Sequence, residues 1–364
     1  MINRRHFTLL LSSSTLLAQA PAAPPIELDW YDAKKFTVEG LGYTDLKSPY
    51  DRLPLRAENV VRKAVWDLSR DASGVVVRFT AASTDIHARW TLANKNLASA
   101  NITAIASSGL DLYAKTDAGR WHWLGIGRPT KFPDNTDALA KGLPPGQREY
   151  MLYLPLRNAI TQLEIGVVKG STIDKGAPRA AGSKPILFYG TSITHGISAS
   201  RPGMTHVAML GRMFNREVIN LGFSGNGRME PEVIKFIAEL DPAVFVLDCL
   251  PNMSPKDINE RAEDGVKAIR AAHPKTPILL VEDRNMADNF LNASHLERNE
   301  LNHAAMRAVY AKLLKDKVPY LHYLKGEELL ALDGEDTIDG SHPTDLGFLH
   351  QATAFQKVLR TILK

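Results

Sequence analysis

From Pro185 onward the chain alternates short apolar runs with amphipathic stretches, and that alternation leaves few folds open. The runs are Pro185–Tyr189, Val218–Leu221, Ala243–Leu247, Pro277–Val281 and Tyr320–Tyr323. Between them lie segments with helical spacing, including Glu230–Leu240, Pro255–Ala272, Leu296–Asp316 and Pro343–Leu363. Strands that alternate with helices predict a parallel sheet with helices on both faces. In open sheets of this kind a ligand sits outside the carboxyl ends of the strands. The residues that follow each apolar run are therefore the informative ones.

The preceding region, 26–168, reads differently. Short apolar or alternating runs recur at Val60–Trp66, Gly74–Thr80, His87–Thr91, Leu110–Ala114, Trp121–Gly125, Tyr150–Pro155 and Gln162–Val168. Turn-rich clusters such as Arg70–Gly74 and Lys141–Gly146 separate them. Regular short strands with this punctuation predict an all-β sandwich of the jelly-roll kind. A linker rich in Gly, Ala, Pro and charge is expected over 169–184, followed by an α/β domain over 185–364. All five tryptophans, Trp30, Trp66, Trp90, Trp121 and Trp123, fall in the first domain. Exposed, such rings can stack on sugars; buried, they fill a sandwich core.

Residues 1–20 have the tripartite layout of an export signal. Arg4-Arg5 precede an apolar stretch from Phe7 to Leu17, and Ala18-Gln19-Ala20 forms a cleavage signature. The apolar part is shorter than the roughly 20 residues a membrane-spanning helix needs. Arg-Arg-His-Phe also resembles a twin-arginine signal, which carries folded proteins outward. A periplasmic or secreted protein, with no membrane span once the signal is removed, is the expectation.

Composition removes several other classes. Lys+Arg 44 against Asp+Glu 40 gives a net charge of only +4, and the two signal arginines account for half of it. Neither that balance nor any clustered basic face suggests nucleic-acid binding. The single cysteine, Cys249, excludes an internal disulfide framework and a multi-cysteine metal site. Scattered histidines and the absence of His-Glu-x-x-His give no reason to expect a metal, and Cys249 at an apolar strand end reads as a buried, inert thiol.

Four segments carry chemistry. Gly190-Thr191-Ser192 follows the first run, where a serine at a strand-to-helix turn exposes its hydroxyl beside backbone N–H groups. It suits a nucleophile, although a helix cap would look the same. Gly222-Phe223-Ser224-Gly225-Asn226-Gly227 follows the second run, and its glycines either let backbone approach a ligand or simply form a loop. Asn252 follows the third run and can donate to an oxyanion or fill a turn. Asp339-Gly340-Ser341-His342-Pro343 precedes the last helix, whose start is expected at the proline. That spacing puts the Asp339 carboxylate within reach of the His342 imidazole, for orientation of a base or for capping alone.

In this order, Ser, Gly, Asn and Asp-x-x-His, the chain from Lys184 to Lys364 resembles the SGNH (GDSL-type) hydrolases. Ser192, Gly225, Asn252 and His342 match the four letters of the name. Val281-Glu282-Asp283-Arg284 and Asp339–Gly347 are similar to a branch with an N-terminal β-sandwich. The resemblance implies a flavodoxin-like α/β/α domain and a Ser192–His342–Asp339 triad. It also implies an oxyanion hole from the Ser192 and Gly225 N–H groups and the Asn252 side chain, with no cofactor and no metal. It further implies an esterase or acyltransferase, several members of the branch acting on acetylated sugars. Two departures separate the chain from better-known members: Gly-Thr-Ser stands where Gly-Asp-Ser is common, and Pro-Asn-Met where Gly-x-Asn-Asp is.

The resulting expectation is an exported serine esterase acting on short acyl esters, acetyl foremost, of a carbohydrate. An acyltransferase, a lipase or lysophospholipase, and a carbohydrate-binding protein with a degenerate domain are the alternatives. His195, one helical turn beyond Ser192, and Arg284, after the fourth run, are candidate substrate contacts. Their other reading is structural: His195 on a helix face, and Arg284 paired with Glu282 or Asp283.

Overall fold

The computed structural model describes residues 26–363. The export-signal segment, residues 1–20, lies outside them. Among the described residues no helix is long and apolar enough to cross a membrane.

Two antiparallel sheets build the first domain. One runs in the order Leu28–Asp32, Ile160–Val168, Ile86–Leu92, Asp134–Ala140. The other runs Thr172–Lys175, Val76–Ala82, Arg148–Tyr153, Leu110–Lys115, Trp121–Gly127, with Thr37–Glu39 also paired to Val76–Ala82. Alternate residues of both sheets face one core, in which Val77, Phe79, Ala88, Trp90, Leu112, Tyr150, Leu152 and Ile165 are buried. This is the sandwich that the short runs predict. The segment expected as a linker contributes a strand of its own, Thr172–Lys175, before the chain crosses to the second domain.

One run is not a strand. Val60–Trp66 enters a helix, Lys63–Ser69, with Val65, Trp66 and Ser69 buried. Val61, Val65 and Ser69 recur every fourth residue, so the helical period wins over the apparent alternation. With Tyr43, Leu53 and Ala57, this segment packs against Leu221 and Phe223 of the second domain rather than into the sandwich. The two domains thus share a core.

The tryptophans divide between the two readings. Trp66 and Trp90 are buried, Trp30 and Trp121 half-buried, and Trp123 exposed. Arg89 lies over Trp30, Arg201 over Trp123 and Lys115 over Trp121.

In the second domain, five parallel strands form one sheet: β1 (Ile186–Gly190), β2 (Val218–Gly222), β3 (Val244–Asp248), β4 (Ile278–Val281) and β5 (Leu321–Leu324). Their order is β2-β1-β3-β4-β5. Helices α1 (His206–Phe214) and α5 (Asp345–Ile362) cover one face, over Ile186, Phe188, Val246 and Leu279. Helices α2 (Pro231–Ile237), α3 (Pro255–Ala272) and α4 (Ala293–Lys315) cover the other, over Leu187, Tyr189, Phe245 and Leu280. The first four strands are buried on both faces, which is why they read as near-continuous apolar runs, whereas the edge strand β5 is buried only at Leu324. In this order successive strands are added first on one side of β1 and then on the other, so the switch point, outside which such sheets form their crevice, lies at the carboxyl ends of β1 and β3.

Candidate active site

Ser192 stands at that crevice, first residue of a single helical turn, Ser192–His195, directly after β1. The Thr191 side chain caps the turn by accepting from the Ile193 N–H at 3.3 Å. As the first helical residue, Ser192 has no preceding carbonyl in its turn to receive its own N–H. Ser192 is nearly covered, the residue being 7% exposed.

His342 arrives from the far end of the chain. Its Nε2 lies 2.8 Å from Ser192 Oγ, and its Nδ1 lies 2.8 Å from Asp339 Oδ2. Asp339 Oδ1 also accepts from the backbone N–H of His342 at 2.8 Å and of Ser341 at 3.2 Å. Burial, the largest single influence, pushes the Asp339 carboxyl upward. The His342 backbone N–H, its imidazole and the Ser341 N–H outweigh it and hold the carboxyl below its ordinary value. An ionised carboxylate at Nδ1 places the neutral imidazole's proton there and leaves the Nε2 lone pair for the serine hydroxyl.

Helix α5 does not begin at Pro343, as the proline suggests. Thr344 is its cap and Asp345 its first residue. The Thr344 N–H donates to Asp336 O at 2.8 Å, which keeps Thr344 extended, and Pro343 pairs with Thr337 across the loop. His342 therefore sits in a closed loop ahead of the cap, tied further by the Ile338 N–H on its carbonyl at 2.9 Å.

Gly225 lies in the loop after β2 with φ +70°, a conformation that favours glycine. The loop is pinned to β1 by the Phe223 N–H on Gly190 O at 2.9 Å. At Gly227 a Cβ would come within 2.1 Å of Gly190 O, so the close approach needs glycine. Asn252 ends the short turn Leu250–Asn252 after β3. Its Oδ1 accepts from the Gly227 N–H at 3.2 Å, which leaves the two Nδ2 protons for another acceptor. The Ser192 and Gly225 N–H groups and the Asn252 amide thus stand at the ends of adjacent strands β1, β2 and β3. A hydroxyl, a base on that hydroxyl and three donors at neighbouring strand ends can together perform acyl transfer.

The two further candidates do not reach the crevice. His195 is fully buried beneath the turn, its Nε2 2.6 Å from Leu156 O in the first domain. Burial first, and then Arg52 and Arg157, hold the imidazole well below its ordinary value, so it is neutral. Arg284 is also buried and pairs with neither Glu282 nor Asp283, whose partners are Arg307 and Arg298. It instead grips Asp248 through Nη1 and Nη2 and Gln351 through Nε at 3.0 Å. Asp248 Oδ2 in turn accepts from Thr194 Oγ1 at 3.1 Å. Both residues are therefore supports beneath the site rather than substrate contacts.

Thr194, Asp248 and Gln351 are members of the site's foundation that sequence reading passed over. Asp248 had a usable signal: a charge ending an apolar run must find a partner if it is buried. Cys249 beside it is fully buried, and burial holds its thiol well above the ordinary range. Among the described residues no three His, Cys, Asp or Glu side chains cluster as metal ligands.

Comparison with known proteins fits this geometry. Residues 183–360 match the GDSL-like lipase/acylhydrolase family, and residues 28–173 match a domain described as the N-terminus of SGNH-hydrolase-type esterases. A Bacteroides ovatus protein described as a GDSL-like lipase is 34% identical, with TM-score 0.88 over 93% of this chain and 98% of that one. The salicylyl-acyltransferase SsfX3 of a tetracycline biosynthetic pathway is 19% identical, with TM-score 0.73 over 92% and 97%. A family two carbohydrate esterase from Cellvibrio japonicus is 13% identical, with TM-score 0.60 over 93% and 98%. At those lower identities the likeness concerns the fold. A comparison with curated protein sequences gave no match.

Proposed function

The chain belongs to the GDSL-like lipase/acylhydrolase family, and on that premise we propose that it is an exported serine esterase removing short acyl groups, acetyl foremost, from carbohydrates. The observation that carries the reading is the unbroken path from Ser192 Oγ through the His342 ring to Asp339, with both contacts at 2.8 Å.

In this mechanism His342 Nε2 takes the Ser192 proton as Oγ bonds to the ester carbonyl carbon. The carbonyl oxygen becomes an oxyanion, held by the Ser192 and Gly225 N–H groups and by Asn252 Nδ2. Collapse breaks the bond to the alcohol oxygen, which leaves with the proton from His342. Water then adds to the acyl-serine with His342 again as base, and the carboxylic acid departs as Ser192 regains its proton.

The side chains of His342 and Asp339 are 23% and 39% exposed, so the base and its partner lie at the rim. An open rim suits an ester whose alcohol part is bulky, as in a glycan. Export supports the same choice, because a polymeric glycan cannot enter the cell, and residues 1–20 carry the layout of an export signal.

The test is acetate release from a panel of acetylated polysaccharides, with Ser192→Ala as the control. Loss of release in the variant, together with loss of fluorophosphonate labelling, is the expected outcome. A variant with full turnover would overturn the reading. Product appearing as a new ester when alcohols are added would move the assignment from hydrolase to transferase.

A further inference from the structure

We propose that Arg52, from the N-terminal half of the chain, is a positioning residue for the oxyanion side of the site. The inference rests on the acyl-transfer reading of Ser192, Gly225 and Asn252.

Strand β2 is the outermost of the five, so no neighbouring strand receives the backbone groups on its free edge. Arg52 fills that place. Its Nη1 donates to Asn220 O at 3.0 Å and to Gly222 O at 2.8 Å, the carbonyls at the carboxyl end of β2. Its Nη2 donates to Leu68 O at 2.6 Å and its Nε to Asp71 O at 2.7 Å. The guanidinium lies over the Phe223 ring, 5.2 Å from its centre. One buried cation therefore joins the Lys63–Ser69 helix and the turn after it to the last residues of β2. Gly225 stands three residues beyond.

A second contact sews the same seam. Ser73 Oγ donates to His195 O at 2.7 Å and accepts from Asn220 Nδ2 at 3.2 Å. Asn220 Nδ2 also reaches Thr194 O at 2.8 Å, and Asn220 Oδ1 receives the Gly222 N–H at 2.8 Å. The nucleophile turn and the oxyanion loop are thus registered against each other through Arg52 and Ser73, neither of which belongs to the α/β domain. Only a planar, many-donor side chain can serve four carbonyls at once, so lysine is not an equivalent. The reason for such bracing lies in the chemistry: an oxyanion donor works only when held at hydrogen-bond distance from where the charge forms.

Arg52→Lys in the full chain tests this. The readouts are kcat and KM for p-nitrophenyl acetate, inhibition by methylboronic acid as a tetrahedral adduct of Ser192, and the thermal unfolding midpoint. A folded variant is expected to lose about 10- to 100-fold in kcat, with boronate inhibition weakened in parallel and KM unchanged, the scale of a misplaced oxyanion donor. Unchanged kcat and boronate inhibition, with only a lower midpoint, would overturn the inference and leave Arg52 a purely structural residue. Should the lysine variant not fold, Arg52→Gln, whose amide can still donate to the Asn220 and Gly222 carbonyls, is read the same way: a parallel loss of kcat and boronate inhibition supports the inference, and no loss overturns it. Ser192→Ala separates the two levels. An active Ser192→Ala variant removes the site itself, whereas an inactive one beside an unaffected Arg52→Lys removes only the role of Arg52.

Discussion

Arg284 and Asp248 face each other as a two-pronged ion pair beneath the catalytic crevice, both removed from solvent. Thr194 ties the pair to the turn that carries Ser192, and Gln351 ties it to α5, which follows the His342 loop. The two ends of the Ser192–His342 contact therefore share one buried anchor. Removing one partner of such a pair leaves an uncompensated charge in the interior and costs about 3–5 kcal/mol. Arg284→Met should lower the stability measured by urea unfolding by that amount. The double variant Asp248→Asn, Arg284→Met should recover part of the loss. Additive losses in the double variant would show that the two residues act independently.

Asn252 offers a test confined to the transition state. With Oδ1 held by the Gly227 N–H, its amide protons have no other assigned task. Asn252→Ala should reduce kcat by about 10²–10³-fold while KM stays near the parent value. Steady-state kinetics on a chromogenic acetate decides it, and an unchanged kcat would remove Asn252 from the oxyanion hole.

These supports were unequally legible in the sequence. The first four strands of the parallel sheet announce themselves because burial on both faces forces near-continuous apolar runs. The chemistry-bearing residues follow them because that is where such a sheet opens. Strands with polar sequences at sheet edges were silent: Asp134–Ala140 ends its sheet and needs no apolar alternation on the exposed side. Direction was the other blind spot. His195 follows Ser192 by three residues on a one-turn helix, yet one side chain meets the crevice and the other the first domain. Arg52 carries no motif at all, because its partners are backbone carbonyls, which leave no mark on side-chain identity.

Acidification should expose a weakness unrelated to catalysis. His206 is fully buried, stacked on Phe348 and Phe355 and edge-on to Phe188, and neither ring nitrogen has a hydrogen-bond partner. Burial first, and then Arg284, hold it well below its ordinary value, so the folded protein keeps it neutral. The unfolded chain protonates it near pH 6.5. Below that value the unfolded state binds a proton the folded state refuses, and stability falls as pH falls. Buried Asp51 and half-buried Asp71, both pushed up to about 6, act in the opposite sense but are common to parent and variant. The urea midpoint of His206→Leu relative to the parent should therefore rise steadily from pH 7 to pH 5. Parallel curves for the two proteins would exclude His206 as the source.

The last prediction concerns the partner of the base. Asp339 accepts from the imidazole and from two backbone N–H groups, so an asparagine can keep the loop's backbone contacts through its carbonyl oxygen. What it cannot keep is a charge that stabilises the imidazolium, and its amide can favour the tautomer with the proton on the wrong nitrogen. Asp339→Asn should therefore fold with near-parental stability while kcat drops by about 10³–10⁴-fold. Because the Asp339 carboxyl is held below the ordinary carboxylate range, the parent should keep this contribution throughout neutral and mildly acidic pH. It should be lost only as pH falls through that depressed value. The ratio of parental to variant kcat should be about 10³–10⁴ at neutral pH and should collapse as pH falls through the depressed titration of Asp339. A variant that keeps the parental kcat at neutral pH would mean that some other group, not Asp339, supplies the negative charge at His342.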